Sequence, residues 1–159
     1  MSIRSTSKAI ILNDGKLLLN KCFDAYNGTY YSLPGGGQNK YETLSDAVIR
    51  ECMEETGYTV VPERFGALCE EICDSPEFRA QRPEYAHKMY HIFVCKLVSE
   101  KREAPSEVDE MQTGIEWVSV DGLKELRLLP NTVGEHISEV IHSDTPLFLG
   151  SEHIPYNHG

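Results

Sequence analysis

Glu51, Glu54 and Glu55 follow Arg50 in the run Arg-Glu-Cys-Met-Glu-Glu. On a helix, residues three and four apart share a face, so these three carboxylates fall along one edge. Their mutual repulsion costs roughly a few tenths of a kcal/mol per pair even at a surface. Hard divalent cations seek clustered carboxylate oxygens, and a phosphate-bridged Mg²⁺ needs only one or two of them. The competing reading is a solvated acidic face with Arg50 paired to Glu54 at i,i+4. The turn Pro34-Gly35-Gly36-Gly37 and the nearby Glu42 favour the metal site, because they bring backbone amides and a further carboxylate to one end of the run.

Positioning these groups requires a helix. Leu44, Ala47, Val48, Cys52 and Met53 recur at spacings of three and four, which predicts an amphipathic helix over Leu44 to Thr56. Gly57 is the expected C-terminal cap and Thr43 a candidate N-cap. Before it, the three glycines stop regular structure and allow close approach to a ligand. Asn13-Asp14-Gly15 joins two apolar stretches, Lys8 to Asn13 and Lys16 to Asn20, as a hairpin. Asn27-Gly28 marks a turn before a short strand at Thr29 to Leu33.

Downstream, Tyr58 to Val61 and Phe65 to Glu71 read as strands, and Cys73 to Tyr85, with Pro76 and Pro83, as a long loop. His87 to Leu97 places Tyr90, Ile92 and Val94 on one face and Met89, Phe93, Cys95 and Leu97 on the other, the pattern of a central strand covered on both sides. Glu100 to Gln112 is charged and reads as loop, Ile115 to Val120 as strand, Asp121 to Leu126 and Val133 to Ile141 as helices. The expectation is one α/β domain over 1–159, a mixed sheet sandwiched between helices. The segment 143–159, rich in Pro, Gly and His, is expected to be loosely ordered.

Bulk composition narrows the function. At 159 residues the chain suits one domain with a real core. Lys plus Arg total 15 against 25 Asp plus Glu, a formal charge of -10, so no basic face is available for duplex nucleic acid. An anionic small molecule stays possible, since a divalent cation reverses the local field. The N-terminal stretch MSIRSTSKAIILNDGKLLL has neither a signal-peptide nor a membrane-span pattern. Five cysteines without a CxxC pair suit reduced, buried thiols and a cytoplasmic location.

The stretch from Gly36 to Tyr58 resembles the Nudix box. That pattern is a glycine, five residues, Glu, seven residues, Arg-Glu, an apolar residue, any residue, Glu-Glu, any residue, Gly and an apolar residue. Gly36, Glu42, Arg50, Glu51, Cys52, Glu54, Glu55, Gly57 and Tyr58 stand at its positions. Cys52 and Tyr58 are mild departures at apolar sites, and Tyr41 stands where the family often has glycine. The resemblance implies the Nudix fold and hydrolysis of a nucleoside diphosphate linked to a group X, with Mg²⁺ or Mn²⁺ held by Glu51, Glu54 and Glu55. It also implies that Arg50 orients the carboxylates and that Glu42 supports the helix or a metal-bound water. A nucleoside triphosphate is the first expected substrate, and ADP-ribose or a nucleotide sugar the alternative. A nucleotide-binding regulatory module without turnover is the competing class. Homodimers are common in the family.

Outside the box the readings stay open. Glu110 is a candidate catalytic residue, because Asp109 to Trp117 resembles a loop of the mutator-type members; ordinary loop solvation of Glu107, Asp109 and Glu110 competes. Asn131 resembles an asparagine that reads a purine edge in such members, or is a helix N-cap. Gly36 and Gly37 are expected against substrate phosphates, the outward ring of Tyr30 and Tyr31, taken as Tyr31, against a base, and Arg79 against a distal phosphate. Arg82 and Lys88 share that last reading or merely offset nearby acids. Trp117 reads as core, and His87 and His91, about 13 Å apart on a strand, as unrelated to a shared metal.

Overall fold

The computed structural model describes residues 2–107 and 110–156. Strands β1 (Arg4–Asn13), β2 (Lys16–Asp24), β3 (Gly28–Ser32) and β4 (Gly35–Gly37) precede helix α1 (Leu44–Thr56). Then follow β5 (Tyr58–Cys73), α2 (Pro76–Gln81), β6 (His87–Arg102), β7 (Gln112–Ser119), α3 (Asn131–His142) and β8 (Leu147–Ile154). Short 3₁₀ turns occupy Pro83–Tyr85 and Val120–Glu125. The eight strands run β3-β2-β1-β6-β5-β8, with β4 added to β1 and β7 to β2. β1 is parallel to β6 and β5 to β8, while β1–β2, β2–β3 and β5–β6 are antiparallel, so the sheet is mixed.

Strand alternation divides the core. Ile10, Ile92 and Val94 pack with Val133, Ile137 and Val140 of α3, whereas Ala9, Ile11, Phe93 and Cys95 pack with Val48 and Cys52 of α1. Neighbouring residues of β1 and β6 therefore serve opposite faces, and a helix covers each. This is the expected sandwich. Trp117 packs at the edge of the α1 cluster, its ring edge-on to Tyr58 at 5.8 Å, in keeping with a core role.

Helix α1 has the bounds its periodicity predicts. The Thr43 hydroxyl accepts from the Asp46 amide at 3.0 Å, a cap worth about 1 kcal/mol. Gly57 adopts φ 77° and donates to Met53 O at 3.0 Å. A Cβ there would lie 1.8 Å from Glu103 O, so both the backbone angle and the space demand glycine. No helix among the described residues is long and apolar enough to cross a membrane. All five cysteines are buried free thiols.

Several expectations are corrected. The segment 143–159 is not loose through its described part: β8 pairs parallel with β5 from Ala67↔Leu147 to Cys73↔Ile154. Beyond it, Tyr156 stacks on Tyr26 with ring centroids 4.5 Å apart. The predicted loop from Cys73 to Tyr85 contains α2, started by a Ser75 hydroxyl that accepts from Phe78 N and by Pro76 in the first turn. The two strands predicted between Tyr58 and Glu71 are one strand with register shifts at Tyr58/Val60, Pro62/Arg64 and Phe65/Ala67. Bulges let Pro62, which lacks an N–H, sit within it. β6 extends to Arg102 and β7 begins at Gln112, shortening the predicted loop from both sides.

Ile154 is 5% exposed and packs with Cys73, Ala86 and Phe78. Ile154→Ala is expected to cost about 2 kcal/mol, the low end for such truncations because the cluster is small. Urea denaturation measures it, and a loss near zero would show that the C-terminal strand contributes no packing.

Candidate active site

The glycine turn and α1 meet because β4 is laid along β1. Gly37, Gly36 and Gly35 pair with Thr6, Ser7 and Lys8, and the Ser7 hydroxyl donates to Leu44 O at 2.8 Å, fixing the start of the helix against the same strand. The approach is close at every glycine. At Gly35, with φ 138°, a Cβ would lie 2.1 Å from Ser7 O. At Gly36 it would lie 2.6 Å from the Glu51 carboxylate, and at Gly37 2.6 Å from the Arg4 guanidinium. The glycines therefore make room for specific side chains of the site, which the expectation of phosphate contact alone did not include.

Arg50 organises the acids. Its Nε donates to Glu42 Oε2 at 2.7 Å, and its Nη2 donates to Glu42 Oε1 and Gly37 O, each at 2.9 Å. Its Nη1 reaches Glu51 Oε1 at 2.9 Å and Glu54 Oε2 at 3.2 Å. One planar, permanently charged fork thus joins the loop, its carboxylate and two helical carboxylates. The bonds hold the guanidinium well above its usual range, with Glu42 as the first cause. Glu42 is pulled down from 4.5 to about 2, chiefly by Arg50 and then by the Asn39 amide. Burial pushes the Glu51 carboxyl up, against the pull of Arg50, and the charge of Glu54 adds to that rise.

Glu55 belongs to a second network. It is 5% exposed, and its Oε1 accepts from Gly35 N at 2.8 Å and from Asn20 Nδ2 at 3.2 Å. Gln112 Nε2 in turn reaches Asn20 Oδ1 and Glu55 O, both at 3.3 Å. Asn20 and Gln112 were not legible as site residues. Each is a polar residue on a strand with no motif spacing, although a buried Asn amid Leu17, Leu18 and Leu19 is a signal that it serves a partner.

The donor chemistry fits a hard divalent cation. Glu51 and Glu54 already share one positive group, the Arg50 guanidinium, and Glu51 carries an ionisation cost from burial that a nearby cation would offset. Among the described residues no three His, Cys, Asp or Glu side chains already converge as a closed metal cage. Glu51 and Glu54 are joined through Arg50, and Glu55 is held by Gly35 and Asn20 through its Oε1.

The candidates outside the box are dispersed. Glu110 lies exposed in the turn before β7. The inward members of that turn are Met111, which receives Phe23 N and the Tyr30 hydroxyl, and Gln112. Asp109 lies outside the described residues. Asn131 is the first residue of α3 and not its cap, which is Pro130; its Nδ2 donates to Glu152 Oε1 at 3.1 Å. Arg79 is in α2, donating to Cys73 O at 2.6 Å and Asp74 Oδ1 at 2.9 Å, so it serves the end of β5. Arg82 pairs with Glu84, while Lys88 is 4% exposed, its pKa lowered to about 8 by burial. Tyr30 is the inward ring at 1% exposed; Tyr31 is half-buried beside the α3 cluster, its phenol pushed up by burial and then by Glu116. His87 bonds Glu70 and His91 bonds Thr6 O, so the two histidines have separate partners.

The NUDIX domain family model matches residues 3–139. A curated Caenorhabditis elegans protein whose name places it among nudix hydrolases is 27% identical over 128 residues, 77% of this chain and 31% of its own length. The chain thus spans about a third of that relative. A NUDIX hydrolase structure from Nitrosomonas europaea superposes with TM-score 0.68 at 21% identity, covering 89% of each chain. A MutT structure from Bacillus halodurans does so with 0.68 at 20%, covering 96% of this chain and 91% of its own. An ADP-ribose pyrophosphatase from Streptococcus suis gives 0.63 at 20%, covering 92% and 99%. At such identities these structures support the fold alone.

The sign of the Glu42 shift sets a pH test. Its folded pKa lies below its unfolded one, so its contribution is complete above about pH 4.5 and is lost as pH falls towards about 2. Glu51 is shifted the opposite way but is present in both proteins compared. The stability gap between wild type and Glu42→Gln is expected to be full at pH 6 and clearly smaller at pH 3, by urea midpoints. An equal gap at both values would show that Glu42 is not held ionised by Arg50.

Proposed function

The chain belongs to the Nudix family, and from that premise we propose that it hydrolyses a phosphoric anhydride in a nucleoside diphosphate linked to a further group X, using Mg²⁺ or Mn²⁺. The observation that carries this is the Arg50 fork holding Glu51 and Glu54 at the mouth of the glycine turn. Family membership supports phosphohydrolase activity on a nucleotide.

Glu51, Glu54 and Glu55 would hold the metal. Bound there, it supplies a Lewis acid for the phosphoryl oxygens and lowers the pKa of a water. In the proposed hydrolysis the oxygen of a water bonds to phosphorus, the P–O bond to the leaving phosphate breaks, and the water's proton passes to the leaving oxygen or to solvent. Arg50 keeps Glu51 and Glu54 oriented, and Glu42 keeps Arg50 in place. Gly36 and Gly37 leave room for the Glu51 carboxylate and the Arg4 guanidinium to lie against the loop backbone. Lys8, whose Nζ donates to Gly35 O at 3.0 Å, adds a cation behind the turn.

Asn131 is engaged by Glu152 and Glu110 is exposed, so neither favours a nucleoside triphosphate over ADP-ribose. Both belong in the first substrate panel, with nucleotide sugars and dinucleoside polyphosphates. Glu54→Gln is expected to lower kcat by roughly 10²- to 10³-fold with its melting temperature near that of wild type, because Glu54 is a partly exposed helix residue. Unchanged turnover would remove Glu54 from the site. A folded, metal-binding wild type that turns over no member of the panel would shift the reading to a nucleotide-binding module.

A further inference from the structure

Asn20 is a buried amide at the end of an apolar run. It follows Leu17, Leu18 and Leu19 on β2 and is 3% exposed, a place where an apolar side chain would need no partner. Its Nδ2 donates to Glu55 Oε1 at 3.2 Å, and its Oδ1 accepts from Gln112 Nε2 at 3.3 Å. Gln112 Nε2 also donates to Glu55 O at 3.3 Å.

The direction of this chain of amides is fixed by its acceptors. Glu55 Oε1 already accepts from Gly35 N at 2.8 Å, so Asn20 turns its NH₂ to that oxygen and its carbonyl to Gln112. Gln112 then faces two acceptors, Asn20 Oδ1 and Glu55 O, and only its NH₂ serves both. That orientation leaves Gln112 Oε1 buried and without a hydrogen-bond partner among the described residues. Reversing the amide would set its oxygen against both acceptors. Gln112 is therefore held as a donor to Asn20 and Glu55 at the expense of its own carbonyl.

The backbone aims the side chain. β2 and β7 pair regularly from Lys16↔Ser119 to Lys21↔Gly114, a register that would next set Thr113 opposite Cys22. The register shifts there, and Gln112 stands opposite Cys22 instead. An extra residue of this kind re-aims a side chain, and here Gln112 reaches Asn20 while the Thr113 hydroxyl donates to Lys21 O at 3.1 Å. Phe23 N donates to Met111 O at 2.9 Å and fixes the preceding residue to β2.

The two donors on Glu55 Oε1 are neutral, unlike the Arg50 guanidinium on Glu51 and Glu54. An amide orients a carboxylate without adding a positive charge that competes with a cation. Partners of this outer kind set the direction of a ligand and tune its affinity.

We propose that Asn20 and Gln112 are positioning residues for Glu55, a relay through which the start of β7 sets the divalent-cation affinity of the site. The proposal rests on the reading of Glu55 as a ligand of that cation.

The test compares wild type with Asn20→Leu, Gln112→Met and the double variant, each checked by thermal unfolding. Mn²⁺ is titrated by the electron paramagnetic resonance signal of the free ion. Hydrogen exchange of the Asn20 side-chain amide is followed by NMR in the metal-free wild type and in Gln112→Met. The Kd for Mn²⁺ is expected to rise about tenfold in each single variant. The double variant is expected to match Asn20→Leu, because Gln112 acts through Asn20. The Asn20 amide is expected to exchange slowly in wild type and faster in Gln112→Met, a readout that needs neither metal nor a folded Asn20→Leu. An unchanged Kd in Gln112→Met, penalties that multiply in the double variant, or equal Asn20 exchange in the two proteins would each overturn the relay. No Mn²⁺ binding by folded wild type contradicts the metal reading instead, and the amide exchange then decides the relay's geometry by itself.

Discussion

The site depends on one guanidinium. Arg50 bonds Glu42, Gly37 O, Glu51 and Glu54 within 3.3 Å. Without that charge, Glu51 and Glu54 would repel across one helix turn, and Glu42 would keep only the Asn39 amide as partner for its carboxylate. The pairs are only partly exposed, 15–27% by side chain, so solvent screens them less than ordinary surface pairs. Lysine would supply the charge but not the fork, and could not meet both edges of Glu42 and the Gly37 carbonyl together.

Everything around Arg50 brings its partners within reach. β1 serves both sides: Ala9 and Ile11 receive α1, while Ser7 holds the helix start and pairs with Gly36. Missing Cβ atoms at Gly36 and Gly37 make space for Glu51 and Arg4. On the inner side, the Glu55 carboxylate is tied to Gly35 and Asn20, and Gln112 closes the network from β7. Helix, glycine turn and the two sheet segments are therefore locked at one point by polar contacts, over a core that apolar packing builds on both faces.

Much of this was written locally in the chain. The helix bounds follow from a 3.6-residue period and from caps at Thr43 and Gly57, and the two-faced β6 from its alternation. The acidic edge needs only the three- and four-residue spacings. What was not legible depends on distant pairing. Asn20 and Gln112 acquire their roles only when β2 and β7 align, a register set by the sheet. Leu147 to Ile154 has a weak alternation interrupted by Gly150, and becomes a strand because the edge of β5 accepts it in parallel. α2 carried a readable signal, a Ser75 cap with Pro76 behind it, which the two prolines of the segment obscured. The Asn131 amide donates to Glu152 of β8, a partner that its own neighbourhood in the chain does not reveal.

The acidic edge of α1 is proposed as a divalent-metal site. Titration of Mn²⁺ followed by the electron paramagnetic resonance signal of the free ion tests it directly, on wild type and on the triple variant Glu51→Gln, Glu54→Gln, Glu55→Gln. Saturable binding by wild type that is lost in a folded triple variant is the expected result. Equal binding by both proteins, or none by wild type, would contradict it.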